Sequence, residues 1–273
     1  MSGNVIACQG TEGAYSQLAA KKLFPDGSFL YFRNFEAVAT AVREDLCDFG
    51  VLPIENNTYG SVRDVYRILA RQEVSIVRGC RLQICHQLLA NPGAVMSGIR
   101  KVYSHEQGLG QCAKFLHTLG DKVSLVPCLN TAVAARMVAE SGDKEAAAIS
   151  SPECADLYGL TVLKRGIADS DHNYTRFLCI AKESCVLPGA DRISLIFTLP
   201  HRPGALACVL GKFADADMNL LKLESAPIPG RDFEFLFYAD VEGSVNDRAV
   251  SAILEEIRGM CPDYRFLGNY HEI

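Results

Sequence analysis

The chain has 273 residues, 49% of them apolar and 22% charged, which is globular composition with enough apolar mass for two or three compact units. Its 27 basic and 32 acidic side chains give a net charge of −5 without any basic run, which excludes the usual footprint for nucleic acid or an anionic membrane. No stretch reaches the ~18–20 apolar residues that span a bilayer, MSGNVIACQG lacks a secretory pattern, and eleven cysteines without a C-x-x-C pair predict a reduced, cytoplasmic protein.

In chain order, the first two-thirds alternates strand and helix patterns. Val5–Ala7 reads as a strand, and Tyr15–Phe24 as a helix with Tyr15, Leu18, Ala19 and Leu23 on one face. Phe35, Val38, Ala39, Val42 and Leu46 recur at helical spacing; Phe49–Ile54 predicts a strand, Gly60–Arg71 a helix and Val74–Val77 a strand. A second set follows: strands Leu82–Leu89 and Lys101–Tyr103, helix Gly108–Leu119, strand Ser124–Val126, helix Thr131–Glu140 and strand Ala146–Ile149. The apolar run Arg176–Ala181 is expected to cross back to the first set. Such alternation implies crossover connections, a mostly parallel α/β sheet and two lobes facing a cleft. Cys8, Cys47, Cys112, Cys179 and Cys208 lie inside apolar patterns and are expected to be small buried hydrophobes.

Residues 184–191, SCVLPGAD, read as a linker. Beyond it come strand Ile193–Leu199, helix Gly204–Ala216, strands Leu220–Ala226 and Phe233–Val241, helix Asp247–Arg258 and strand Tyr264–Asn269. The order β-α-β-β-α-β is ferredoxin-like, with both helices on one face of an antiparallel sheet. Its other face, or an edge, is expected to be free for a second copy. The division expected is 1–183 and 192–273.

Polar motifs fall where strands run into helices, the place where open α/β sheets bind ligands. GTEGAYSQLAA (10–20) offers Gly13, Ala14, Tyr15 and Ser16 at a helix start suited to a carboxylate, or simply a capped turn. GVLPIENNTYGSVRD (50–64) places Glu55 and Asn56 at a strand's carboxyl end, with Ser61 near a second helix start. SHEQGLGQC (104–112) offers Ser104, His105 and Gln107, and LNTAVAARM (129–137) opens a helix at Asn130–Thr131. In NYTRFLCIA (173–181), Asn173, Thr175 and Arg176 precede Phe177: a guanidinium fork for a carboxylate beside a hydroxyl donor, or a strand-end arginine paired with Asp169 or Asp171. His105 and His117 lack partners at metal-ligand spacing, so no metal is expected. Phosphate-loop, dinucleotide and G-x-S-x-G elbow patterns do not occur.

Taken together and in this order, G-T-E-G-A-Y-S, G-V-L-P-I-E-N-N-x-x-G-S-V, S-H-E-Q-x-L-x-Q-C and N-Y-T-R-F closely resemble the prephenate dehydratase family, and HRPGALACVL (201–210) with LESAPIPGRDFEFLFYADVEG (223–243) resembles an ACT regulatory domain. The resemblance covers nearly the whole chain. It implies a two-lobed, type II periplasmic-binding-protein-like catalytic domain that converts prephenate to phenylpyruvate, carbon dioxide and water in phenylalanine synthesis, without a cofactor. It also implies feedback inhibition by L-phenylalanine in a homodimer or homotetramer. The essential threonine maps onto Thr175, and the substrate-binding asparagine and glutamine onto Asn56 and Gln107. Phenylalanine would meet Pro203, Gly204, Ala205 and Leu206 on one segment and Glu224 and Ser225 on the other, where Ala226 replaces the usual arginine. From the chemistry, Thr175 is expected to supply a proton to the leaving hydroxyl and Arg176 to hold the pyruvyl carboxylate. Arogenate dehydration stays open as a different assignment, and a non-catalytic aromatic-acid sensor as a reading of another class.

Overall fold

The computed structural model describes residues 3–228 and 234–273. The first lobe begins with strand β1 (Val5–Gln9), helix α1 (Tyr15–Leu23), β2 (Ser28–Phe32), α2 (Phe35–Arg43), β3 (Phe49–Asn56), β4 (Gly60–Ser61), α3 (Arg63–Arg71) and β5 (Ser75–Gln83). The second lobe is one contiguous stretch: β6 (Gln87–Ala90), β7 (Lys101–Ser104), α4 (Glu106–Gln111), α5 (Ala113–Thr118), β8 (Ser124–Pro127), α6 (Thr131–Ser141), β9 (Ala146–Ser150), α7 (Glu153–Tyr158) and β10 (Thr161–Lys164). The chain then returns through β11 (Tyr174–Ala181), which inserts between β3 and β5, so the first sheet runs β2-β1-β3-β11-β5. The second sheet runs β10-β6-β9-β7-β8.

Both sheets are mixed. β1 pairs in parallel with β2 and β3, but β11 is antiparallel to both neighbours, as is β6 to β9. The expected mostly parallel sheet is corrected accordingly: the return strand enters from the second lobe and runs against its partners. β2 was not expected. Its pattern SFLYF is largely exposed at the sheet edge, so it carries no buried run to read. Helices begin later or break where local chemistry demands it. Gly60–Ser61 pairs with β3 as a strand, α3 starts at Arg63, and Cys112 separates α4 from α5 in what reads as one helix. Strand β5 ends at Gln83 and β6 starts at Gln87, which splits the expected strand Leu82–Leu89.

The third unit contains β12 (Arg192–Thr198), α8 (Ala205–Asp215), β13 (Leu220–Pro227), β14 (Phe235–Glu242), α9 (Arg248–Met260) and β15 (Tyr264–Tyr270). Its antiparallel sheet, in the order β13-β14-β12-β15, is the ferredoxin-like arrangement, and the α8–α9 side is sealed by Val209, Phe213, Leu254 and Ile257. Residue 233, the expected start of its third strand, and residues 229–232 of the motif lie outside the described residues.

The sheet's other face is not free. Ile196, Tyr238, Leu267 and Tyr270 pack into one core with Tyr66, Leu69 and Ile76 of the first lobe, and the Tyr66 and Tyr238 rings meet edge-on at 4.6 Å. Gly268 permits this approach: its φ is +157°, and a Cβ there would lie 2.0 Å from the Ile76 carbonyl oxygen. Residues 271–273 continue alongside β5, with the Gly79 amide donating to the His271 carbonyl and the Ile273 amide to the Gly79 carbonyl, both at 3.0 Å. All eleven cysteines are free thiols; Cys208 is exposed on α8, against expectation, because it faces away from the third core.

Candidate functional site

A cavity of about 450 Å³ lies between the two lobes. From the first lobe it is walled by Gln9, Ala14, Tyr15, Ser16, Asn56, Tyr59, Ser61, Thr175 and Phe177, and from the second by His86, His105, Gln107, Gln111, Asn130 and Thr131. Five helices start at this wall: α1 after Ala14, α2 with Phe35, α3 after Val62, α4 after His105 and α6 after Asn130. First-turn amides have no acceptor inside their own helix, and aligned peptide dipoles make such ends partly positive. Among the described residues, no lysine, arginine, aspartate or glutamate lines the cavity.

Asn56 and Thr175 sit opposite each other in the β3–β11 ladder. The Asn56 Oδ1 accepts from the Thr58 and Tyr59 amides at 2.9 and 3.0 Å, which fixes the side-chain amide with Nδ2 toward β11. Nδ2 donates to Thr175 Oγ1 and to Asn173 Oδ1, both at 2.9 Å. A hydroxyl that accepts on one side is left with its hydrogen to donate elsewhere, and Thr175 lines the cavity. A bulge makes this pairing possible. Arg176 stands opposite Glu55 while Phe177 stands opposite Pro53, so Ile54 is an extra residue. Pro53 and Asn56 thereby share the cleft face although three positions apart.

The same bulge sets the corrections. Arg176 and Glu55 point to the back of the sheet, away from the cavity. The Arg176 guanidinium donates to Asp240 and Glu272, and to the Tyr270 hydroxyl at 2.8 Å, so it does not reach a ligand in the cleft and its partners are neither Asp169 nor Asp171. Burial opposes its charge, but Tyr270, Asp240, Tyr238 and Glu272 together hold its proton above the ordinary arginine range. Glu55 accepts from Lys222 at 2.6 Å and does not orient Asn56. Ser104 is buried and donates to the Ile149 carbonyl at 2.8 Å. The Gly13 amide is taken by Gln17 at 2.7 Å, and Gly13 packs instead on the second lobe, where an added Cβ would meet Cys154 Sγ at 2.7 Å. Asn173 is buried behind Asn56, supporting it rather than lining the cavity.

Of the remaining expected residues, Ala14, Tyr15, Ser16, Asn56, His105, Gln107, Thr131, Thr175 and Phe177 are brought together at the wall. His105 Nδ1 accepts from the Gln107 amide at 3.3 Å and so caps α4. Tyr59 spans the cleft, its hydroxyl donating to the Gln107 carbonyl at 3.3 Å.

Two residues stand out that sequence reasoning missed or placed one position away. His86 was hidden inside an apolar run. It is buried, and burial pulls its proton affinity below the ordinary value of 6.5 against the opposing Gln111 contact, so it is neutral at neutral pH. With Gln111 Oε1 at 2.6 Å, Nε2 carries the proton, and Nδ1 faces the Tyr15 hydroxyl at 3.4 Å. Asn130 uses Oδ1 to cap α6 at the Val133 amide, 2.8 Å away, and its buried Nδ2 has no hydrogen-bond partner. The helix start at Asn130–Thr131 is legible in the sequence; the cap and the unpartnered donor both belong to Asn130.

A cleft of helix starts holding one directed hydroxyl between two α/β lobes suits an anionic ligand and a placed proton donor, and comparison with known proteins identifies the class as a dehydratase, a lyase that breaks a carbon–oxygen bond. Residues 6–185 match the model of the family described as prephenate dehydratase, and the chain belongs to that family. It is 37% identical over 277 residues to arogenate dehydratase/prephenate dehydratase 2, chloroplastic, of Arabidopsis thaliana, covering 97% of this chain and 72% of that protein. Among solved structures it is similar to prephenate dehydratase from Arthrobacter aurescens in complex with L-Phe (29% identity, TM-score 0.89, 98% of this chain and 89% of that one). It is equally similar in fold to GqqA, described as a novel type of quorum quenching acylases (32% identity, TM-score 0.89, 97% of both chains).

Proposed function

We propose that the interlobe cavity converts prephenate to phenylpyruvate, carbon dioxide and water, with residues 1–183 as the catalytic unit, of the type II periplasmic-binding-protein design, and 192–273 as an ACT regulatory unit. The observation that carries the reading is the Asn56–Thr175 pair, in which a backbone-locked amide leaves the threonine hydrogen free for the cavity. In the reaction, the ring carboxylate's carbon–carbon bond supplies its electron pair to the ring as the C4–oxygen bond breaks. The leaving oxygen takes the Thr175 proton and departs as water, and solvent restores the hydroxyl. The leaving hydroxide is the conjugate base of water, pKa about 15.7, so a weakly acidic hydroxyl is a matched donor. Aromaticity of the product drives the step, which asks of the protein only a placed proton and an anion mould.

That mould is made of dipoles. First-turn amides of α1 and α6, with Asn130 Nδ2, suit the pyruvyl carboxylate. A ring carboxylate that meets no fixed cation is left free to depart as neutral carbon dioxide. Arogenate carries an ammonium where prephenate has a ketone, and the cavity offers no carboxylate to pair with it, which supports prephenate as the preferred substrate. Rates of phenylpyruvate and phenylalanine formation from the two substrates, measured side by side, test this; faster arogenate turnover would reverse the assignment.

Regulation by L-phenylalanine is supported by a small cavity of about 130 Å³ on the third unit, lined by His201, Arg202, Ala205 and Leu206 beside Phe237. Arg202 offers the cation that Ala226 lacks. Gly204, at φ +80°, shapes the turn into α8. Glu224 is turned instead to Ser61 and Lys222, so the expected contact between Glu224 and the amino acid is corrected. An inhibitor must bind a low-activity arrangement more tightly, by ~1–3 kcal/mol of coupling. Gly204→Val is expected to abolish inhibition; retained inhibition would remove the site. Pairing of third units in a homodimer or homotetramer would use a sheet edge, since the open face is already covered. The eleven free thiols fit a reducing, cytoplasmic setting.

A further inference from the structure

We propose that Lys222, on the third unit, positions the Asn56–Thr175 proton-donor pair from behind. The inference rests on the dehydratase reading. β3 and β11 present Asn56 and Thr175 to the cavity, and the residues next to them, Glu55 and Arg176, to the third sheet. Both back-face residues are gripped by that sheet. Arg176 is held by Asp240 on β14 and by Tyr270 and Glu272 at and beyond the end of β15. Glu55 is held by Lys222 on β13, whose Nζ lies 2.6 Å from Glu55 Oε1 and 2.9 Å from Ser61 Oγ. Ser61 in turn donates to Glu224 Oε2 at 2.8 Å, and Ser61 also lines the cavity. Since β4 pairs Ser61 with Glu55 and Gly60 with Asn56, one ammonium touches both strands of the turn that carries Asn56.

Two groups of contacts clamp the ladder, and they differ in kind. The Arg176 cluster is buried, so disrupting it unfolds the interface. The Lys222 side chain is 15% exposed and that of Glu55 32%, so solvent reaches this pair more than it reaches Arg176 and Asp240, and removing one partner costs stability, but less than in the Arg176 cluster. A contact that fixes the backbone beside a reacting group has leverage on rate beyond its share of stability, because displacement by a fraction of the hydrogen-bond distance misaligns the donor. Any ligand that shifts β13 would reach the cleft through the same ammonium.

The test uses the full-length protein with Lys222→Met, Glu55→Gln, the double variant and Lys222→Arg. Expected in the first two is a fall in kcat of about tenfold per folded molecule with KM within about twofold, and a melting transition lowered less than in Arg176→Met. The double variant should be no worse than the worse single one, since both substitutions release one contact. Lys222→Arg should recover most of the rate. Independently of turnover, the Asn56 side-chain amide resonances of the unliganded protein should shift in Lys222→Met. An unmoved Asn56 signal overturns the proposal, as do unchanged kcat, additive losses or a change confined to KM. A wild-type protein that turns over neither substrate sinks the dehydratase reading instead, and the resonance shift still decides the role of Lys222.

Discussion

The cleft between the lobes and the seam between the first and third sheets lie on opposite faces of the same strands, and they use charge in opposite ways. The cleft, which would receive a dianion, is walled by amides, hydroxyls and helix starts, with no fixed cation among the described residues. The seam holds Arg176 against Asp240 and Glu272, with Arg81 and Arg192 also reaching Glu272 at 2.7 and 3.5 Å. Burial would raise the Glu272 proton affinity, but the arginines reverse that and hold the carboxyl below its ordinary range. Fixed charges are therefore used where geometry must not change. Neutral donors are used where one of the bound carboxylates has to lose its charge during the reaction.

The largest effect should come from breaking the cleft side. Thr175→Val preserves shape and removes the donor, and kcat should fall about 10²–10⁴-fold with the Tm nearly unchanged. Breaking the seam should give the converse. Arg176→Met leaves Asp240 buried without its cation, while Glu272 keeps Arg81 and Arg192, and denaturant unfolding should show a loss of about 3–5 kcal/mol. Equal losses of activity per folded molecule in both variants would erase the distinction.

A smaller change sharpens it. Asn130→Asp keeps the α6 cap but turns a donor into a negative charge at the wall. KM should rise about tenfold, equivalent to ~1.4 kcal/mol, without loss of Tm. Smallest is the pH dependence from His86. Its folded proton affinity is depressed, so the unfolded chain binds the proton first. The stability it contributes is present above the ordinary value of 6.5 and is lost as pH falls below it. Unfolding free energy measured between about pH 7.5 and 5.5 should slope downward toward acid, and His86→Gln should flatten that slope.

Periodicity made most strands and helices legible, and the polar motifs led to one interlobe cavity that Thr175, Asn56, Gln107 and Thr131 share. What the sequence could not disclose is the face each residue takes. The guanidinium fork of Arg176 suits a carboxylate and Glu55 stands next to the Asn56 it would orient, but a strand sends neighbours to opposite sides. The bulge at Ile54 then sets which three-residue spacing shares a face. His86 was invisible for a different reason: a neutral, buried histidine within an apolar run has the pattern of a core strand, and only its partners Gln111 and Tyr15, distant in sequence, mark it. The covered face of the third sheet was equally out of reach, because it depends on contacts between β15 and β5, nearly two hundred residues apart.

The insertion of β11 between β3 and β5 has a consequence for how the molecule is made. The second lobe is an uninterrupted segment and can collapse as soon as it leaves the ribosome. The first lobe cannot close its sheet until residues 174–181 arrive, and until then β3 and β5 are both unpaired along the gap. Synthesis thus leaves a transient, adhesive slot in the N-terminal half, and the segment that fills it is the one that delivers the threonine, so a chain stalled before that point is both sticky and inert.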